Sequence, residues 1–248
     1  MALIKRGSFN SYKVKPNRKV LGKKSVFDTI KTFNEFGEIA ANAPEDGFEL
    51  INSTEARGIC INSIELLEGF EGFLQGFLNP TNEIYFVAWA WDLSGQPVYC
   101  YPGENFKVED VVFNMKVGTV RHFLGQGINL FPKRIVRGGI TVRIQIWESD
   151  QGGRDFGKTM TEVTNAIKES SLNNTLSLIS TLSGVSGVLI NTIKDAALEL
   201  SGIIGKIFEN NKNDFVDYYE GYYDSSTQWT TGDEKNSGNS TILTLNKL

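Results

Sequence analysis

The densest chemistry in the sequence lies at residues 142–158, Val-Arg-Ile-Gln-Ile-Trp-Glu-Ser-Asp-Gln-Gly-Gly-Arg-Asp-Phe-Gly-Lys. An alternating stretch ends in Trp147, and Glu148, Asp150 and Asp155 follow in a Gly-rich run. A loop of that make-up can aim three carboxylates at one point. Ca²⁺ takes six to eight hard oxygen ligands, so it is the ion such a loop would hold. The competing reading is a solvated acidic hairpin loop that merely ends a strand. Carboxylate pairs such as Asp150 and Asp155 also suit hydrolysis, but any sandwich offers such pairs, and no enzyme is read from them.

Other chemistries find little material. His122 is the sole histidine, and Cys60 and Cys100 are the only cysteines, neither with a neighbour at metal-ligand spacing. That removes zinc ribbons and most zinc sites, and weakens any Ser-His-Asp or Cys-His arrangement. The two cysteines form either a disulfide or two buried thiols. Gly125-Gln-Gly127 and Gly152-Gly153 lack the following Gly-Lys-Ser/Thr of a phosphate loop.

The elements that would position the acidic loop are strands. Residues 84–91 alternate Ile84, Phe86, Ala88, Ala90 with Tyr85, Val87, Trp89, Trp91. Both faces are apolar, so this is a central strand covered on both sides, with its aromatics in a core and not stacked on a sugar or base. Residues 111–117 and 140–146 alternate apolar with polar and read as half-buried strands. Tyr218, Tyr219, Tyr222 and Tyr223 predict a strand with one wet face, 225–240 an exposed mobile loop, and 241–245 a last short strand. The fold class is mainly β, an antiparallel β-sandwich. One segment departs from period two. Over 172–208 the apolar residues step by threes and fours, giving an amphipathic helix, or two helices broken near Gly184 and Gly187. Residues 172–193 carry no charge.

The acidic segment resembles the third calcium loop of C-two (calcium- and phospholipid-binding, synaptotagmin-like) domains. There a strand ending in Trp-Asp-x-Asp is followed by Asp-Phe-x-Gly. Ile59-Cys-Ile-Asn-Ser-Ile-Glu-Leu-Leu-Glu68-Gly69 is similar to the family's opening strand and first loop, and Asn82-Glu83-Ile84-Tyr85-Phe86-Val87 to its Asp-Pro-Tyr-Val strand start. The resemblance covers roughly residues 58–160 and the strands after 215. It implies Glu148, Asp150 and Asp155 as calcium ligands from one loop, and Glu83 with Glu68 or Glu71 from the other. The chain departs from the family in having Glu at two of the expected aspartates, Asn82-Glu83 before the Tyr, and a shortened Phe156-Gly157.

Two regions lie outside that resemblance. Residues 1–27 hold Lys5, Arg6, Lys13, Lys15, Arg18, Lys19, Lys23 and Lys24 with no acid, in a chain of net charge −4. The arm either steers the protein to an anionic membrane or is a solvated tail. Nucleic acid is the weaker reading, because only Phe9 and Tyr12 interleave with the cations. The 172–208 helix either docks on a partner, a second copy or a membrane, or packs on its own sandwich. Its polar face is Ser, Thr, Asn and Gly, and Ser180, Gly184 and Gly187 would let helices approach closely.

The expected organisation is therefore a basic arm and lead-in at 1–50, then a C-two-like sandwich at 51–248 with a helical insertion at 162–212. With no signal sequence and no apolar run of about 18 residues, the chain reads as cytoplasmic, with peripheral membrane attachment as one option, or as exported without a classical signal peptide. Three functions stay open. One is a non-enzymatic module binding a membrane or protein partner, with calcium as its switch. The others are a membrane-perturbing, toxin-like protein using 172–208, and a structural subunit of a larger assembly.

Overall fold

The computed structural model describes residues 7–11, 48–69, 81–149, 153–179, 184–185, 187–211 and 213–248. Its strands are β1 (Gly7–Ser11), β2 (Phe48–Glu49), β3 (Arg57–Leu66), β4 (Asn82–Trp91), β5 (Tyr99–Tyr101), β6 (Phe113–Met115), β7 (Val120–His122), β8 (Ile128–Arg134), β9 (Gly139–Glu148), β10 (Gly184–Val185), β11 (Asp214–Asp224), β12 (Gly232–Ser237) and β13 (Thr241–Lys247). The helices are α1 (Val108–Val111), α2 (Gly153–Lys168), α3 (Ser171–Ile179) and α4 (Gly187–Asn210). A six-stranded sheet runs β1-β11-β9-β4-β5, with β6 also on β4. A five-stranded sheet runs β12-β13-β3-β7, with β8 also on β3. Every pairing is antiparallel. The short β10 pairs β2.

The two sheets pack face to face, and α2, α3 and α4 lie on the outer face of the larger one. β4 shows why the middle layer is buried twice. Ile84, Phe86, Ala88 and Ala90 meet Ile59, Ile61, Leu243 and Leu245 of the other sheet. Tyr85, Val87, Trp89 and Trp91 meet Met160, Leu176, Leu200 and Phe208 of the helices. The double covering expected for 84–91 is what the fold contains.

Beside it, β9 departs from expectation. Its polar alternates were to face water, yet the whole strand is buried. Arg143 and Gln145 lie beneath α4 because their polar atoms are met there. Arg143 Nη1 donates to Ala197 O (2.6 Å) and Ser201 Oγ (2.9 Å), and Nη2 pairs with Glu220 at 3.1 Å. Gln145 donates to Ser201 O at 3.2 Å and accepts from Trp147 Nε1 at 3.2 Å. Burying a polar group is tolerable only when it is hydrogen-bonded, and both Arg143 Nη atoms and the Gln145 carboxamide are. The Tyr-rich strand departs likewise. Tyr219 and Tyr223 point into the inter-sheet core, Tyr218 and Tyr222 toward the helices, and none is wet.

The helical segment is broken where expected, at β10, but begins at Gly153. Ser170 caps α3, its Oγ accepting from Asn173 N at 3.2 Å. In α4 the buried face is Ile193, Ala196, Ala197, Leu200, Ile204 and Phe208, while Ile203 is turned outward. The apolar stripe is spent on the protein's own sheet. Two further corrections concern the β layer. Val108–Val111 is a helical turn, so only Phe113–Met115 remains of the strand read at 111–117. Residues 232–237 are not loose but form β12, a hairpin partner of β13 whose charged alternation hid it, with Glu234 on Lys247 at 2.8 Å. Cys60 and Cys100 are free thiols in different sheets, and burial pushes both pKa values up.

Candidate functional site at one end of the sandwich

Strand polarity brings several chain reversals to one end. β3, β6 and β9 finish there, β4, β7 and β11 begin there, and the β12–β13 turn closes over them. Backbone bonds lock the reversals together. Gly118 N donates to Leu66 O (2.7 Å), Leu67 N to Ser240 O (2.8 Å) and Ser149 N to Glu83 O (2.9 Å). The Asn82 carboxamide donates to Met115 O at 3.4 Å.

Glu68, Glu83 and Glu148, drawn from distant parts of the sequence, all stand at this end. Their environments differ. Glu68 is exposed and accepts from Ser240 Oγ at 3.4 Å. Glu83 is exposed opposite Asn114. Glu148 is buried, opposite Ile84 on one side and Asp214 on the other. Asp155 lies in the first turn of α2, where its charge suits the helix N-terminus, 3.7 Å from the equally exposed Lys158. Asp150, Glu71 and the arm cations Lys5, Arg6, Lys13, Lys15, Arg18, Lys19, Lys23 and Lys24 lie outside the described residues.

The carboxylate that organises this end was not singled out from sequence. Asp217, on β11 just after a bulge, is buried between the sheets. Its Oδ2 accepts from Ser240 N (3.1 Å), Thr241 N (3.1 Å) and Thr241 Oγ1 (2.9 Å), and its Oδ1 from Tyr218 N (3.2 Å). Burial pushes its pKa up, and these hydrogen bonds oppose the rise. Asp217 thus ties the larger sheet to the hairpin turn of the smaller one. Gly238 makes room for it, since a Cβ there would sit 2.0 Å from Oδ2. Nothing in the sequence marks this Asp apart from Asp214, Glu220 and Asp224, the other acids of the same aromatic strand.

Calcium needs its oxygen ligands gathered around one point. Among the described residues no group of three or more His, Cys, Asp or Glu is placed to hold a metal ion. The described carboxylates alone do not fit the ion. What this end does present is apolar surface. Leu67 (36%), Val117 (52%) and Val120 (43%) are exposed there. Lys116 stands exposed beside Val117.

No family model matches the chain, and no curated protein matches it. Among solved structures, one similar chain is human GIVD cytosolic phospholipase A2, in complex with a methyl gamma-linolenyl fluorophosphonate inhibitor and terbium chloride. The two are 7% identical with a TM-score of 0.31, over 81% of this chain and 18% of that one. An overlap that slight leaves the fold described above, an antiparallel β-sandwich with a helical layer, to stand on its own.

Proposed function

We propose that this protein is a non-enzymatic, C-two-like binding module that docks on a membrane surface through the end described above. One observation carries the reading: Leu67 and Val117 remain exposed beside Lys116, where the β3–β4 connection leaves at Gly69 and returns at Thr81. The sequence of that connection supports it. Residues 70–80 include Phe70, Phe73, Leu74, Phe77 and Leu78, with Glu71 as the one charge. Transfer of such side chains out of water is worth about 1.5–3 kcal/mol each. The arm cations would add about 1 kcal/mol apiece near an anionic surface.

Sedimentation with vesicles of phosphatidylcholine, with and without phosphatidylserine, tests the reading, each in calcium and in chelator. The protein is expected in the pellet. A protein left in the supernatant under all four conditions ends the proposal. A rise with calcium would assign the ion to Asp150 and its neighbours, and Asp150→Ala with Asp155→Ala should then remove that rise.

A further inference from the structure

Residues 111–147 contain no Asp or Glu, yet they hold Lys116, Arg121, Lys133, Arg134, Arg137 and Arg143. The fold neutralises two of these internally, Arg134 on Asp92 and Arg143 on Glu220. Lys116, Arg121 and Lys133 are exposed, and among the described residues none of them pairs with a carboxylate.

Topology sets these three along one margin. β7 and β8 both pair β3 on the same side, β7 against Ser63–Glu65 and β8 against Arg57–Ile61. At 3.2–3.4 Å per strand residue, the span from Lys133 beside Gly58 to Val120 beside Glu65 is roughly 23 Å. The acids next to this margin, Glu65 opposite Val120 and Glu83 opposite Asn114, sit on its border and outside the acid-free run.

The turn joining β7 to β8 carries Leu124, which is 97% exposed. That turn is pinned. Phe123 N donates to Asn62 O at 2.9 Å, and Gly127 N to Leu124 O at 3.2 Å. Gly127 has φ 94°, and a Cβ on it would lie 2.2 Å from Ile61 O. Leu124 is therefore held out from the body by a fixed backbone, between cations on either side. Arg121 is steadied too, its guanidinium 5.4 Å from the Phe113 ring centre.

We propose that this β7–β8 margin is a calcium-independent docking strip for anionic phospholipid. Lys116, Arg121 and Lys133 meet headgroup phosphates, and Leu124 reaches the acyl boundary. The inference rests on the membrane reading and deepens it: the strip adjoins Val117, so the molecule meets the bilayer on a corner shared by its loop-bearing end and this edge. Cations from an acid-free run of chain, beside an exposed leucine and with Glu65 at their border, complement an anionic, amphipathic surface.

The test is vesicle sedimentation of the full chain in chelator, on phosphatidylcholine alone and with phosphatidylserine. The parent should prefer the anionic vesicles and lose binding as salt rises. Lys116→Gln with Lys133→Gln should weaken binding about thirtyfold, and Arg121→Gln added to them about a hundredfold. The double variant touches only exposed side chains, so it stays informative if the triple variant is poorly folded. Leu124→Ser should weaken binding about tenfold. If the parent binds and these variants bind equally well, the strip is wrong while the loop-bearing end stands. Equal parent binding to neutral and anionic vesicles also overturns the strip. A parent that binds no vesicle with or without calcium overturns both. Binding of double-stranded DNA in place of vesicles would overturn the lipid assignment.

Discussion

Arg143 and Asp217 are the charged residues on which the fold leans hardest, and they make different predictions. Arg143 is 1% exposed and joined to Glu220, Ala197 and Ser201. Removing one member of a buried pair leaves an uncompensated charge and costs about 3–5 kcal/mol. Arg143→Ala should therefore lower the urea-unfolding free energy by that amount, and Arg143→Met with Glu220→Met by much less. Asp217 makes a pH prediction. Burial raises its folded pKa above the unfolded value of about 3.9. The folded state then binds the proton more tightly, so this contribution to stability is complete below the unfolded value and is lost as pH rises through the folded one. Asp217→Asn removes that titration. Its melting temperature should fall less than the parent's between acid and neutral pH, and parallel curves would show that Asp217 does not titrate in that range.

At the scale of elements, the helical layer depends on its turns and the sandwich on its close approaches. Ser170→Ala removes the α3 cap and should cost about 1 kcal/mol. Thermal unfolding with unchanged helical circular dichroism at low temperature would register it. Gly238→Ala should do more, because the new methyl would occupy the space of the Asp217 carboxylate. A loss of at least 2 kcal/mol is expected, about that of overpacking a core. A neutral outcome would mean that the β12–β13 turn moves freely of β11. The elements also show which strands period two could reveal. β4 was legible because both of its faces are apolar. β12 was not, because Asp233, Glu234, Lys235 and Asn236 stabilise it through pairing with β13 and not through burial. The wet faces expected on β9 and β11 were misread for a related reason. Polar side chains under α4 look like solvent-facing ones until their partners, far along the chain, are known.

On the scale of the whole molecule, three layers share one buried sheet, and the helices are part of the core and not an appendage. Replacing 153–210 by a short linker would uncover Tyr85, Val87, Trp89 and Trp91 together. The truncated chain is expected to aggregate or to bind a hydrophobic dye strongly, and a soluble monomer of native stability would contradict the layered core. The same packing bears on insertion into membranes. Among the described residues no helix is long and apolar enough to cross a bilayer. Release of α4 would also take Ala197 and Ser201 away from Arg143 and uncover its ion pair with Glu220. Dye release from vesicles is therefore expected to be absent at neutral pH, even where the protein binds them.

The sequence by itself determined the β class, the doubly covered central strand and the broken helical segment, because each is written in local periodicity. It also marked Glu68, Glu83 and Glu148, which the fold gathers at one end. Only the tertiary structure decided that the helix stripe faces the protein's own sheet, that Asp217 clamps the two sheets, and that Glu148 is buried while Glu83 is not. Those outcomes depend on strand register and on partners more than twenty residues apart, and no local pattern encodes them. The acid-free run at 111–147 was visible in the chain all along. It became a surface only when β7 and β8 were found on one edge of β3, with Lys116, Arg121 and Lys133 exposed and the remaining charge partly absorbed inside.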